Sequence, residues 1–203
     1  VMKKVIQRSV QGVALLLFII LLVKGKAQLW MAIFVASTLL ALLFSRFYCG
    51  WLCPINTVIR PIAWMKKKLK IKCKKMPAWI ESDVLRYLIL ALFLATMGFV
   101  FKTGKQLPVL PALPLSMLLS IFFDEALWHR HLCPYGTILT LTGRFSKKAM
   151  VIDEALCNNC TRCSRVCPSN AIVQDEKHRI IKKECLVCHE CERVCAKGAI
   201  KYR

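Results

Sequence analysis

The chain alternates between long apolar runs and short, strongly polar or basic breaks, and this alternation is confined to its first 150 residues. Four runs, roughly 5–23, 27–45, 84–101 and 108–127, each approach the ~20 apolar residues that a helix needs to cross a bilayer. The first two are separated only by "KGKA", which predicts a tight helical hairpin. Pro108, Pro111 and Pro114 crowd the start of the fourth, so its regular helix is expected to begin near Leu113. In the 46–80 linker, Ile62, Met65 and Leu69 fall on one helical face among lysines, with Trp64 beside them. That pattern predicts an amphipathic helix lying on the membrane surface. The expected fold class is an α-helical membrane protein with four transmembrane helices, followed by a small α+β domain. The expected division is 1–149 and 150–203.

Charge sets the orientation. Of 31 Lys and Arg residues and 11 Asp and Glu, residues 151–203 hold 10 and 7, leaving 21 basic and 4 acidic residues for the membrane part. A soluble protein this basic would suggest nucleic acid; here the charges flank apolar runs, so lipid headgroups are the expected partner and nucleic acid is not. The 46–80 linker carries nine basic residues, against two in "KGKA" and two (Lys102 and Lys105) in 102–107. The positive-inside rule then places both ends and the long linker in the cytoplasm, in a multi-pass inner-membrane topology. The first apolar run continues into a second span without a small-residue cleavage site, so a cleavable signal peptide is not expected. No Asp, Glu, Lys or Arg lies mid-span, and Arg86, Asp124 and Glu125 sit near span ends. That pattern weighs against a pump or transporter acting alone.

The last 53 residues contain eight of the twelve cysteines in a repeat of period 28: "CNNCTRCSRVCPSNAIV" from Cys157 and "CLVCHECERVCAKGAIK" from Cys185. Each copy reads C-x2-C-x2-C-x3-C, the spacing of bacterial two-cluster ferredoxins. The resemblance implies that Cys157, Cys160, Cys163 and Cys195 hold one [4Fe-4S] cluster. It implies that Cys185, Cys188, Cys191 and Cys167 hold a second. Ala196 stands where the second copy would have proline, a residue that is not a ligand. A pair of zinc sites accounts for four cysteines per site but not for the third cysteine of each triplet. "CLVCH" also matches the C-x-x-C-H haem-attachment motif. It is embedded in a full ferredoxin ligand set, so His189 is expected to be an ordinary domain-surface residue.

Four cysteines remain: Cys49, Cys53, Cys73 and Cys133. "CGWLCP" follows the second apolar run and "HRHLCP" the fourth, so both emerge on one side of the membrane. Cys49 and Cys53 are four apart, which puts both thiols on one helical face, with the proline expected to stop that helix. His129 and Cys133 repeat the spacing. These stretches, with the ferredoxin-like tail, resemble the membrane ferredoxins of periplasmic nitrate and nitrous-oxide respiration, the NapH-like and NosR-like proteins. The departure is His129, where that pattern has a cysteine. Three readings follow. His129 completes a site with Cys49, Cys53 and Cys133; or Cys73 closes it from the linker; or the site holds no metal and His129 is interfacial. His131, two residues on, would point elsewhere.

The expected function is electron transfer by a subunit of an oxidoreductase complex rather than by a stand-alone enzyme. It would carry two [4Fe-4S] clusters in the tail and a third iron–sulfur cluster at the membrane edge, all on the cytoplasmic side. Quinone, or flavin- or haem-bearing subunits, would be its redox partners. The alternatives are a copper-type metal-handling factor with the tail as reductant, and a redox sensor. No nucleotide-binding or phosphate-loop fingerprint is present.

Overall fold

The computed structural model describes residues 2–71, 82–103 and 109–203. Helices α1 (Met2–Val23) and α2 (Gln28–Phe44) form the expected hairpin, turned at Gly25 with φ 67°. After a short α3 (Phe47–Trp51) comes α4 (Pro54–Lys68), then α5 (Asp83–Thr103) and α6 (Val109–Phe122). A single wide turn over Leu127–Leu132 leads into α7 (Pro134–Gly143).

Two helices, α1 and α5, are long and apolar enough to cross a membrane. Only 22% of each apolar stretch is buried, unlike the core helix of a soluble protein. Leu16, Ile20, Leu88 and Leu92 point outward. The other two expected spans form shorter apolar helices: α2 has 17 residues and α6 has 14. Straight, these would measure about 25 Å and about 21 Å, against a hydrocarbon core of ~30 Å. The fourth run is helical from Val109 rather than from Leu113, and it keeps Pro114 inside the helix. Its last turn is capped from outside: the buried ammonium of Lys66 on α4 donates to the carbonyl oxygens of Ser120 (2.9 Å) and Phe123 (2.7 Å). A cation at a helix C-terminus satisfies orphan carbonyls and opposes the dipole.

The tail is built twice over. Strand β1 (Met150–Ile152), α8 (Arg162–Arg165) and β2 (Ile172–Gln174) make one copy. Strand β3 (His178–Ile180), α9 (Glu190–Val194) and β4 (Ile200–Tyr202) make the other, each element 28 residues on. The copies interlock through antiparallel pairs β1–β4, with Met150 opposite Tyr202, and β2–β3, with Ile172 opposite Ile180. Left-handed backbone recurs at the same period: Asn159 and Val187, Thr161 and His189, Asn170 and Gly198. Met150, Ala171, Ile172, Val187 and Ile200 form the small core between the copies, with cysteines around it.

Candidate iron–sulfur sites

The two Cys-Pro stretches adopt one backbone form. In each, the second cysteine has extended backbone (Cys53 φ −68°, ψ 117°; Cys133 φ −77°, ψ 109°), and the following proline is the first residue of a helix. The preceding helical stretch ends before each Cys-Pro, as expected, and the proline also starts the next helix, α4 or α7, because its fixed φ suits the first helical turn and its missing N–H is not needed there. In each, the second cysteine's N–H bonds the carbonyl five residues back, Cys53 to Tyr48 and Cys133 to Trp128, both at 2.9 Å. Such wide turns occur preferentially at functional sites. Phe34 of α2 packs edge-on against Tyr48 (5.4 Å) and Tyr135 (5.0 Å), clamping the two stretches together.

Cys49, Cys53 and Cys133 are all buried in one apolar cluster. Burial, with repulsion from Cys49, pushes the Cys133 thiol up to about 12. Burial raises Cys53 and Cys49 as well, Arg46 opposing the effect at Cys49. His129 is also buried, and its Nε2 has no hydrogen-bond partner. Burial, aided by Arg46 and Arg60, lowers it to about 3, so the imidazole is neutral. His131 is buried too, beside the site rather than at the surface. Cys73 lies outside the described residues.

A buried ion network passes behind this site. Arg46, with no exposed side-chain surface, donates to the His129 carbonyl (2.9 Å) and the Glu184 carboxylate (3.1 Å), and approaches Cys49 Sγ at 3.9 Å. Arg86 donates to the same carboxylate at 2.7 Å and to Thr140 at 2.6 Å. Two guanidinium groups thus share one carboxylate, leaving a buried positive charge beside Cys49. Such a charge calls for an anion.

The second ferredoxin triplet lies against this network, since Glu184 immediately precedes Cys185. Cys167, Cys185, Cys188 and Cys191 line one cavity. Burial, with repulsion from neighbouring thiols, raises Cys185 to about 12 and Cys188 to about 11, Arg60 opposing the effect at Cys188, and raises Cys191 as well. The first triplet is more open: Cys160 is exposed and Cys157 half-buried, whereas Cys163 is buried. Cys195 is half-buried beside the tail core. Leu186 and Cys188 share an apolar cluster with Cys49, Cys53 and Cys133, so the tail's second copy and the two Cys-Pro stretches are in direct contact. At Gly50, a Cβ would collide with the Leu186 carbonyl, and the Gly50 carbonyl accepts from both Gln7 and Gln11 at 2.8 Å. Only glycine permits that approach.

His189 is not the expected surface residue. It is buried at the seam, between Trp51 (6.1 Å) and Tyr202 (6.0 Å), with Nδ1 2.6 Å from Glu192. The reason is docking: copy two faces the helical part, so its left-handed position before α9 is covered. Arg46, Arg86 and Glu184 were not picked out as site residues from the sequence. A register comparison shows the signal, because Glu184 stands where copy one has Leu156.

The donor chemistry fits iron–sulfur clusters: soft thiols gathered in dry surroundings, an unpartnered neutral imidazole, and a buried cation next to the thiols. Among the described residues no group of three His, Cys, Asp or Glu stands close enough together to hold a single metal ion.

Comparison with known proteins agrees. A model described as "4Fe-4S binding domain" matches residues 26–72 and 107–152, segments that contain the two Cys-Pro stretches. A "4Fe-4S dicluster domain" matches 149–196. The chain therefore belongs to the ferredoxin-type 4Fe-4S proteins, and within that class to the NapH-like group. It is 33% identical to ferredoxin-type protein NapH of Haemophilus influenzae, over 80% of this chain and 63% of that protein. It is 26% identical to the putative electron transport protein YccM of Escherichia coli, over 78% and 51%. With the methylamine utilization ferredoxin-type protein MauN of Methylobacillus flagellatus the identity is 30%, over 61% and 48%. The chain thus spans about half to two thirds of the length of these curated relatives. No solved structure matches it.

Proposed function

We propose that the chain is a membrane-anchored electron-transfer subunit with three iron–sulfur sites: two [4Fe-4S] sites in residues 150–203 and a third at the membrane edge. When bound, the clusters supply the redox couple, tuned by ligand type, hydrogen bonds and burial. The chain's own residues hold and insulate them. Cys157, Cys160, Cys163 and Cys195 form the outer site. Cys185, Cys188, Cys191 and Cys167 form the inner one, and Cys49, Cys53, Cys133 and His129 the membrane-edge site. The observation that carries the proposal is the shared apolar cluster of Cys188 with Cys49, Cys53 and Cys133. That shared packing supports an arrangement in which the inner and edge donor sets lie against each other. The exposed Cys160 end is the side open to a soluble redox partner.

In this reading α2 and α6 complete four spans with tilt or local thinning of the bilayer. Both ends and all three sites lie on the cytoplasmic face, and quinone or a flavin- or haem-bearing subunit meets the protein there. Anaerobically purified full chain should contain iron and acid-labile sulfide beyond two clusters' worth. His129→Cys should keep the third cluster and lower its potential, because a thiolate adds negative charge. His129→Ala should remove its spectroscopic signal, and Cys73→Ser should leave it. Iron that never exceeds two clusters would sink the edge site. Copper at that edge would favour a metal-handling role.

A further inference from the structure

A groove of about 700 Å³ runs between the first turns of α1, the length of α4 and the tail, and none of the proposed iron–sulfur donors lines it. Its walls carry Lys4 and Arg8 from α1 and Arg60 and Lys67 from α4. Arg60 is engaged by Glu190 at 2.6 Å and Lys67 by Glu125 at 3.2 Å. Lys4 and Arg8 make no ion pair with any carboxylate among the described residues, so the groove has an unanswered positive charge at its α1 side. Gly12 leaves the floor there open, with nothing within 4 Å of an added Cβ. Two turns further along the same face of α1, Ile19 and Val23 form an outward-facing apolar track. Trp64, 61% exposed at the rim of α4, is the residue type that seats at headgroup level.

We propose that this groove is a binding site for the phosphate headgroup of an anionic phospholipid, with one acyl chain lying along α1. Basic side chains above and apolar ones below match the two ends of such a molecule. A free phosphate would use only the upper half. The site rests on the membrane reading given above and extends it from general lipid contact to one specific headgroup. Because Val166 and Pro168 of the tail also line the groove, the bound lipid also bridges the membrane part and the tail.

The test uses the full chain, reconstituted into nanodiscs of phosphatidylcholine with or without phosphatidylglycerol and then examined by native mass spectrometry. One phosphatidylglycerol should stay bound after release. Lys4→Ala with Arg8→Ala should weaken its retention about 30-fold, at about 1 kcal/mol per basic residue near the headgroups. Lys4→Arg with Arg8→Lys should retain it, and Gly12→Trp should expel it with all charges intact. Circular dichroism should be unchanged in every variant. Equal retention of phosphatidylcholine, no effect of the double alanine change, or displacement by inorganic phosphate would overturn the site. A chain that enters neither nanodisc would fail the membrane reading itself. One that enters both without headgroup preference would fail the groove alone.

Discussion

The two copies of the tail repeat share a backbone but occupy opposite surroundings. Cysteine spacing, short helices, strand pairing and left-handed positions all coincide at a period of 28 residues. Yet copy one opens to solvent at Cys160, while copy two is wedged against α3 and the wide turn. The difference is written in residues between the cysteines. Copy one has Asn158, Asn159 and Thr161, and copy two has Leu186, Val187 and His189. Leu186 and Val187 are each 1% exposed. The Val187 carbonyl accepts from the Trp51 indole at 3.0 Å, whereas Asn159 bonds only within the tail, to Glu176 and His178. The cysteine frame thus sets where the thiols sit, and the spacers decide which copy meets the helical part.

The largest break in this comparison should come from Glu184. Glu184→Ala removes the carboxylate that Arg46 and Arg86 share, leaving two buried guanidinium groups in mutual repulsion. Losing one partner of a buried network typically costs about 3–5 kcal/mol. Thermal unfolding of the full chain should fall accordingly, and limited proteolysis should cut the tail from the membrane part. If the variant unfolds like wild type, the network is not what fastens copy two.

Much of this architecture was legible beforehand. The 28-residue repeat and the two matched Cys-Pro frames were visible because ligand spacing is a local property. Arg46 and Glu184 were not, because their roles are non-local: Arg46 is one basic residue among nine in a linker that reads as topology charge. Its contact with Glu184 joins positions 138 apart in the chain. His189 was misjudged for the same reason, since burial by docking leaves no periodic trace. Helix lengths were overestimated for α2 and α6 because hydropathy runs on through Ser45 and Phe123, where the helices have already ended.

Making copy two resemble copy one gives a middle-sized effect, and it separates packing from backbone strain. Leu186→Asn puts an amide into the apolar cluster around Cys49 and Cys188 and should cost about 2–3 kcal/mol. Val187→Asn should cost less, about 1 kcal/mol. Val187 holds φ 51°, a left-handed conformation disfavoured for a β-branched residue, and asparagine relieves that strain while losing the packing. Denaturant unfolding of the two variants side by side checks the order. Equal losses would mean that Val187 stores no strain.

The smallest effect belongs to the turn that joins copy one to copy two. Arg179 and Asp175 pair across the turn between β2 and β3 at 2.5 Å, but both side chains are more than half exposed. Water solvates each charge nearly as well apart as together, so an exposed pair of this kind contributes about 0–1 kcal/mol. Asp175→Asn should therefore shift thermal unfolding barely at all, and less still at high salt, where screening removes the remaining attraction. The same chemistry, a guanidinium on a carboxylate, thus differs several-fold in consequence between Glu184 and Asp175, because only the former is cut off from solvent. A loss at Asp175 as large as at Glu184 would show that copy one, too, is covered in the working protein, for instance by a redox partner seated over its open cysteines.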